Sequence, residues 1–422
     1  MERPETNSQV PSTTSSISSR LRGHTDTVCC CDFDASGGLL ATGGEDSSIR
    51  VFDVPSHACC QVYTGRFAQD AVTSVRFSMS GDHILYAAAG TVVYAFDVRK
   101  GGGDTEPIRT FKVAGEEVNQ VTLNRKGNFL AAADDIGEVK VVDLRTNSVF
   151  KTLRRGHSNI CTSVQFHPRR PWEVVSGGLD SRILKWDFST GRVRKEWNLS
   201  AESTLDDSEA EGVGQSRMCN PPMVHALAVC EEDCASDVSS LLVAGRGDGA
   251  VAVYDLDAEA ALGSSSKEQQ RKGSGSRGKD RGKRPAPVGA CDQTSPISLG
   301  MLGSHAAAVS HVTFAKMSNP GEFAVSGGND RQVRVWQLRK PVSVQQELAP
   351  AGLDVQSSLR SSLPAVGGGS GACGAEMGES KPLVLTINTK RKVNWLATRR
   401  SALENLAVVD TSSIVTLYTI GP

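Results

Sequence analysis

Long apolar runs are missing from this sequence, and none reaches the roughly 18 residues that a membrane-spanning helix requires. The first 20 residues are rich in Ser, Thr and Pro and lack the apolar segment of a signal peptide. The eleven cysteines lack the regular spacing of a small secreted disulfide framework. These absences argue against secretion and membrane insertion, and they predict a soluble intracellular protein of the cytoplasm, the nucleus or both.

A net charge is also missing, because 46 Lys and Arg residues stand against 47 Asp and Glu residues. Such a balance gives no global field that would attract nucleic acid or an anionic membrane, so we expect neither as a partner of the whole chain. Apolar residues make up 39% and charged residues 22% of the sequence, which permits a large core and argues against wholesale disorder.

The dominant pattern is a unit that occurs seven times. Each copy contains a Gly-His-like turn, a strand of alternating apolar residues, a small-residue strand that ends in Asp, and a third strand that ends in an aromatic residue and Asp. The aromatic positions or their equivalents are Phe52, Phe96, Val142, Trp186, Tyr254, Trp336 and Tyr418. The first four lie 44 to 46 residues apart, and low-complexity stretches lengthen the later intervals. We interpret these stretches as insertions within one array.

This pattern resembles the WD-repeat family, whose units of roughly 40 to 45 residues each form one four-stranded blade of a β-propeller. The resemblance implies an all-β, seven-bladed propeller over residues 16–422, behind a disordered N-terminal tail at residues 1–15. Only four residues follow Tyr418, which leaves no sequence for the outer strand of the seventh blade. We expect Ser16–Arg22 to supply that strand, because in this family the N-terminus commonly closes the ring and removes an exposed edge.

In the WD-repeat family a His, a Ser or Thr, an Asp and a Trp of one blade form a hydrogen-bonded tetrad. Two complete sets are present here: His157, Ser176, Asp180 and Trp186, and His305, Ser326, Asp330 and Trp336. A third set, His24, Thr42 and Asp46, has Phe52 in place of the Trp. Such partners are needed because a buried, unpaired carboxylate is strongly destabilising. Where the pattern decays, as at Ala244 before Asp248, we expect apolar packing to hold the blade.

Three segments do not fit the repeat and are predicted to be disordered insertions, because they lack the apolar content of a packed segment. Residues 201–222 are acidic and belong to the top face, where the loops between blades lie. Residues 257–295 are basic, residues 341–381 are rich in Ser, Gly and Pro, and both leave the bottom face, where the turns after the third strands lie. A solvated linker is the favoured interpretation of 257–295, with a nuclear-import signal or a nucleic-acid contact as alternatives.

Three motifs could be mistaken for sites of chemistry. His157, Ser176 and Asp180 have the residue types of a hydrolase triad, but their repetition in blade six favours the tetrad. The Gly-rich run 245–249 lies in a turn between strands and lacks the Lys-Ser/Thr of a phosphate loop. The cysteines at 29–31 share one strand, where neighbouring side chains face opposite sides and cannot converge on one ion. We therefore predict no catalytic site, no metal and no cofactor.

The third strands of blades two and three end in Phe96-Asp97-Val98-Arg99 and Val142-Asp143-Leu144-Arg145. Both match the motif of an aromatic or apolar residue, Asp, any residue and Arg, by which many WD-repeat proteins dock onto the DNA-damage-binding adaptor of cullin-4 ubiquitin ligases. At the bottom rim the planar fork of an Arg can engage carboxylates and backbone carbonyls of a partner. A solvated charge at a strand end is the alternative. The candidate adaptor contacts are Asp97, Arg99, Asp143 and Arg145.

Short segments at 115–119, 133–135, 155–161 and 392–396 look like the WD repeat-containing protein 53 group. The resemblance implies a substrate receptor or adaptor of a cullin-4 RING ubiquitin ligase, which binds an unknown substrate protein and is a monomer outside its complex. The alternative is a general scaffold subunit of an RNA-processing or chromatin complex, in which the two arginines are incidental and 257–295 touches nucleic acid.

Overall fold

The computed structural model describes residues 15–65, 67–100, 106–202, 220–231, 240–257, 298–317, 319–338 and 382–421. Apart from one four-residue helix, the regular secondary structure of these residues consists of strands, which assemble into seven four-stranded antiparallel sheets. The predicted all-β, seven-bladed propeller is therefore confirmed. None of the helices in these segments has the length and apolar character needed to cross a membrane.

Blades one to six each consist of four strands that are consecutive in the chain. Blades one to three are formed by β2 (Val28–Phe33), β3 (Leu39–Gly44), β4 (Ile49–Asp53) and β5 (Ala58–Tyr63); β6 (Val72–Phe77), β7 (Ile84–Ala89), β8 (Val92–Asp97) and β9 (Arg109–Lys112); and β10 (Val118–Leu123), β11 (Phe129–Asp134), β12 (Val139–Asp143) and β13 (Ser148–Leu153). Blades four to six are formed by β14 (Cys161–Phe166), β15 (Glu173–Gly178), β16 (Arg182–Asp187) and β17 (Arg192–Asn198); β18 (Val224–Val229), β19 (Leu241–Arg246), β20 (Ala250–Asp255) and β21 (Ser298–Ser304); and β22 (Val309–Phe314), β23 (Phe323–Gly328), β24 (Gln332–Gln337) and β25 (Leu383–Asn388).

The seventh blade joins the two ends of the chain. It contains β26 (Val393–Thr398), β27 (Leu406–Asp410), β28 (Ile414–Ile420) and, as its outer strand, β1 (Ser15–Arg22). β1 runs antiparallel to β28, from Ser15 opposite Ile420 to Arg22 opposite Ile414. The predicted closure by the N-terminal segment is confirmed, although the strand already includes Ser15, which the sequence had assigned to the tail.

The small residues of the second strands make room for the next blade. A side chain at Gly43, Gly177 or Gly327 would place its first carbon under 3.0 Å from a Val on the inner strand of the following blade. These valines, Val72, Val224 and Val393, are fully buried. Glycine at these positions therefore allows adjacent sheets to pack face to face, which creates a separate apolar core at each seam between blades.

Every inner strand has a β-bulge at its second residue, and most of these bulged residues link their blade to the next. Asn119 Nδ2 donates to the carbonyl of Cys161 at 3.1 Å, and Thr162 Oγ1 donates to the carbonyl of Val224 at 2.7 Å. The matching donors in blades two, six and seven are Thr73, Ser310 and Asn394. Because a bulge re-aims its side chain, this repeated feature ties the blades together around the central channel.

The predicted insertions fall mostly outside the described residues. This applies to 203–219, 258–295 and 341–381, so their predicted disorder stays a prediction. The ends of two of them are described. Ala201 and Glu202 complete the short helix α1 (Leu199–Glu202), and Asp257 forms an ion pair with Arg170, so these residues belong to the propeller and not to the insertions.

Candidate protein-interaction surfaces

Blade four contains one hydrogen-bonded chain that joins His157, Ser176, Asp180 and Trp186. His157 Nδ1 lies 3.0 Å from Asp180 Oδ1, and Nε2 lies 2.8 Å from the Ser176 hydroxyl. The indole N–H of Trp186 donates to the same hydroxyl at 2.8 Å. Because a carboxylate only accepts, Nδ1 carries the proton, and Ser176 donates to Nε2 while it accepts from Trp186. All four residues of this predicted tetrad are therefore brought together in one network.

The local chain around Asp180 is shaped to hold its carboxylate in this network. The backbone N–H of Ser158 donates to Asp180 Oδ2 at 3.0 Å. A side chain at Gly178 would place its first carbon under 3.0 Å from both His157 Nδ1 and Asp180 Oδ1, so only Gly fits beside this bond. Burial alone would raise the pKa of Asp180, but the hydrogen bonds from His157 and Ser158 outweigh it and lower the pKa.

Blade six repeats the network, and blade one carries a shortened version. His305 lies 2.9 Å from Asp330 and 2.7 Å from Ser326, which accepts from the indole N–H of Trp336 at 2.7 Å. In blade one, His24 lies 2.9 Å from Asp46 and 2.8 Å from Thr42, and the apolar ring of Phe52 replaces the indole donor. The hydroxyl of Ser48 gives Asp46 an additional hydrogen bond at 2.6 Å, a partner that the sequence pattern did not include.

These His-Ser-Asp sets are placed to hold the blades together. Ser176 and Ser326 are fully buried, and each hydroxyl is already bonded to both a His and a Trp. Neither hydroxyl can reach a substrate in this arrangement, so the structure does not bring these residues together as a hydrolase triad.

Two blades without a tetrad use ion pairs at the corresponding turns, which the sequence pattern did not reveal. In blade three, Lys140 Nζ donates to the buried carboxylate of Asp134 at 2.7 Å and to Glu138 at 2.9 Å. In blade five, Arg246 binds Asp248, two residues further along the chain. Blade five has the expected apolar packing on both faces, and where Ala244 removes the hydroxyl of the tetrad, Arg246 supplies a polar partner for Asp248.

The bottom rim presents two arginines at equivalent positions of adjacent blades. In blade two, Arg99 donates from Nε and Nη2 to the two oxygens of Asp97, at 2.9 and 2.7 Å. In blade three, Arg145 makes the same two bonds to Asp143, at 3.3 and 3.0 Å. The hydrogen bonds from Arg99 lower the pKa of Asp97 to about 2, and Arg145 lowers the pKa of Asp143 in the same way. Both arginine side chains are largely exposed, at 61% and 69%.

The family model for the WD domain with its G-beta repeat, WD40, matches residues 15–53, 148–187 and 297–337. These three stretches contain the two complete tetrads and the shortened version in blade one. The chain thus contains WD40 repeats within a seven-bladed β-propeller. Propellers of this kind are protein-interaction scaffolds.

Relatives of this WD40 propeller have several different names. It is 29% identical over 247 residues to the WD repeat-containing protein 53 homolog of Dictyostelium discoideum, a match that covers 57% of this chain and 65% of that protein. It is 28% identical over 171 residues to THO complex subunit 3 of Arabidopsis thaliana, covering 40% and 51%. It is 28% identical over 193 residues to Pre-mRNA-processing factor 19 of Oryza sativa subsp. japonica, covering 46% and 34%. The chain thus spans less than two thirds of the length of each.

The remaining chemical motifs of the WD40 propeller are placed in turns and packed strands. The Gly-rich run 245–249 joins β19 to β20, and burial raises the pKa of the Cys30 and Cys31 thiols. Within the described segments, no three His, Cys, Asp or Glu residues are grouped so that they could hold a metal ion.

The central channel contains a charged cluster that the sequence pattern did not predict. The guanidinium of Arg76 binds Glu231 and lies 3.6 Å from Asp32, whose other oxygen accepts from the N–H of Phe77 at 2.9 Å. Nearby, the buried ring of His311 stacks on Trp395 at a centroid distance of 4.1 Å. Four of these residues lie on the inner strands of different blades, and Glu231 follows the inner strand of blade five, so their proximity depends on the closed ring and not on any single repeat.

Proposed function

We propose that this WD40 propeller is a substrate receptor or adaptor of a cullin-4 RING ubiquitin ligase. Blades two and three bind the DNA-damage-binding adaptor through Asp97, Arg99, Asp143 and Arg145, and the top face presents the substrate protein. The observation that carries the proposal is the pair of exposed arginines, held in the same conformation at the same position of neighbouring blades. The ligase chemistry belongs to other subunits.

The ion pairs fix each guanidinium without using up its hydrogen-bonding capacity. A guanidinium has five N–H donors, and the contacts of Arg99 with the Asp97 carboxylate use two of them. The remaining N–H donors of the guanidinium stay available to a partner. Because Asp97 already fixes the orientation of the group, a partner carboxylate or carbonyl can bind with little further loss of side-chain freedom. Among the described third-strand ends, only those of blades two and three carry this arrangement. The corresponding residues of blades one, four, five and seven are Pro55, Ser189, Asp257 and Gly421, and position 339 of blade six lies outside the described residues.

The test is to reverse both charges, with Arg99→Glu and Arg145→Glu in one protein. These changes lie on exposed strand ends, so we expect the free energy of unfolding to change by no more than about 0.5 kcal/mol per site. Binding to the purified adaptor should weaken by several kcal/mol, that is by about a hundredfold or more, if both arginines are interfacial.

The matched control reverses two exposed top-face arginines, with Arg155→Glu and Arg331→Glu. The change in net charge is the same, but the altered residues lie on the other face of the ring. The control should retain the parental Kd. If the Arg99/Arg145 variant is folded and also binds like the parent, the receptor proposal is wrong.

The second candidate is a scaffold subunit of an RNA-processing or chromatin complex. It is favoured by the similarity to proteins named THO complex subunit 3 and Pre-mRNA-processing factor 19. Affinity purification followed by mass spectrometry separates the two candidates. A scaffold should recover the same RNA-processing or chromatin subunits from the parent and from the Arg99/Arg145 variant, whereas a ligase receptor should recover the adaptor from the parent alone.

A further inference from the structure

A four-ring aromatic cluster lies at the seam between blades three and four. Phe129 and Phe188 are buried at its base, and their ring centroids lie 5.3 Å apart. Phe150 and Trp172 cover this base, and their ring centroids lie 5.4 to 6.1 Å from those of both buried rings. They nevertheless leave 41% and 45% of their own surface exposed. The chain therefore holds two large aromatic residues at its surface on a rigid foundation.

The cluster borders directly on Arg145. Phe129 on β11 pairs with Asp143 on β12, and Asp143 is the carboxylate that holds the Arg145 guanidinium. The turn that contains Arg145 leads straight into β13, on which Phe150 lies. The exposed arginine and the exposed rings therefore belong to one stretch of the bottom rim.

Blade two also has an exposed apolar residue at the position that corresponds to Phe150. Phe150 occupies a bulge in β13, between the pairs Val141 with Lys151 and Val142 with Val149. Ile108 has the equivalent position before β9, where its N–H donates to the carbonyl of Ala95 at 2.8 Å, and it is also exposed. Bulges re-aim side chains, and the bulge in β13 turns Phe150 outward.

The charges around the rings indicate the chemistry of their partner. Arg145 lies on one side, Arg192 is exposed at the start of β17, and Lys151 reaches towards Gly191 across the seam. The nearby carboxylates Asp143 and Asp187 are already occupied by arginines of this chain. A complementary surface therefore carries an apolar side chain flanked by carboxylates.

The indole N–H of Trp172 indicates that the partner surface also carries a hydrogen-bond acceptor. No group of the described segments accepts a hydrogen bond from its N–H, whereas its backbone carbonyl is fixed by the N–H of Phe188 at 2.9 Å. Tryptophan residues at interfaces usually find an acceptor for this donor, and an acidic partner supplies one.

We infer that Phe150 and Trp172 are the apolar centre of the surface that binds the cullin-4 adaptor. An apolar side chain of the adaptor packs on the two rings, and adaptor carboxylates next to it bind Arg145. The inference rests on the proposed receptor function and extends it from two ion-pairing residues to a surface across blades two to four. Protein interfaces concentrate their binding energy in buried aromatic and arginine residues, which are the two residue types of this surface. The rings of Phe150 and Trp172 are already packed, so they lose little conformational freedom on binding.

The experiment measures the Kd of the purified adaptor for the full chain and for the variants Trp172→Ser and Phe150→Thr. A central aromatic residue typically contributes about 2 kcal/mol, so each variant should bind about 30-fold more weakly. The control is Leu299→Thr, which changes an exposed apolar residue at the equivalent bulge of blade five and should leave Kd unchanged.

The outcomes separate this inference from the proposed function. If Arg99→Glu/Arg145→Glu abolishes binding but Trp172→Ser and Phe150→Thr bind like the parent, the aromatic surface is not part of the interface and this inference falls while the receptor function stands. If the parent itself does not bind the adaptor, both fall. Thermal unfolding is measured for every variant. If Trp172→Ser proves unstable, Phe150→Thr decides alone, because Thr is well suited to an outer strand.

Discussion

Replacing Asp180 with Ala isolates the contribution of one tetrad to the stability of the ring. The carboxylate accepts hydrogen bonds from His157 Nδ1 and from the N–H of Ser158, both at 3.0 Å. Ser158 is exposed, so its N–H can bond to water after the substitution. The ring of His157 is fully buried, so its donor is left without a partner. One buried unsatisfied donor costs about 1–3 kcal/mol, and this sets the expected loss.

We therefore expect Asp180→Ala to lower the free energy of unfolding in urea by about 1–3 kcal/mol without a change in m-value. Asp330→Ala should have an effect of the same size, because His305 is equally buried in the equivalent network of blade six. The control, Asp82→Ala, removes an exposed carboxylate from a bottom-face turn and should stay within about 0.5 kcal/mol of the parent. Equal unfolding midpoints for Asp180→Ala and Asp82→Ala would refute the reasoning.

Two further predictions concern ring closure and acid stability. Deleting residues 1–22 removes β1 and exposes the edge of β28, so we expect a lower Tm and association on size-exclusion chromatography. The control deletes only residues 1–14, keeps β1 and should change neither property. A monomeric 1–22 deletion with the parental Tm would contradict this prediction. Burial, together with the charge of Arg76, lowers the pKa of His311 from 6.5 to about 3. Above pH 6.5 the His311 ring is neutral in both the folded and the unfolded state. Below pH 6.5 the unfolded state binds a proton that the folded state does not, so the free energy of unfolding falls, by about 2 kcal/mol at pH 5. His311→Phe keeps an aromatic ring on Trp395 but does not titrate, so an equal acid-induced loss in parent and variant would disprove this assignment.

The sequence by itself determined the number of blades, their order and the way the ring closes. These features depend on patterns within one repeat, such as the spacing of His157, Ser176, Asp180 and Trp186, which recurs almost unchanged from His305 to Trp336. A local pattern of this kind is visible without neighbours, because all partners of the network belong to one blade. The outer strand of blade seven was predictable for a different reason, since Ser16–Arg22 lies just upstream of the first Gly-His turn, where the N-terminal segment commonly closes the ring in the family that the repeat resembles.

Only the tertiary structure decided which side chains meet across the seams between blades. The cluster of Phe129, Phe150, Trp172 and Phe188 combines two blades, and the contacts of Arg76 with Asp32 and Glu231 combine three. No repeat contains such a set, so no spacing within a repeat can reveal it. The bulges that turn Phe150 outward and direct Asn119 to the next blade arise from the twist and register of packed sheets. The sequence therefore specified each blade, whereas the surfaces available to a partner depend on how closing the ring brings neighbouring blades into contact.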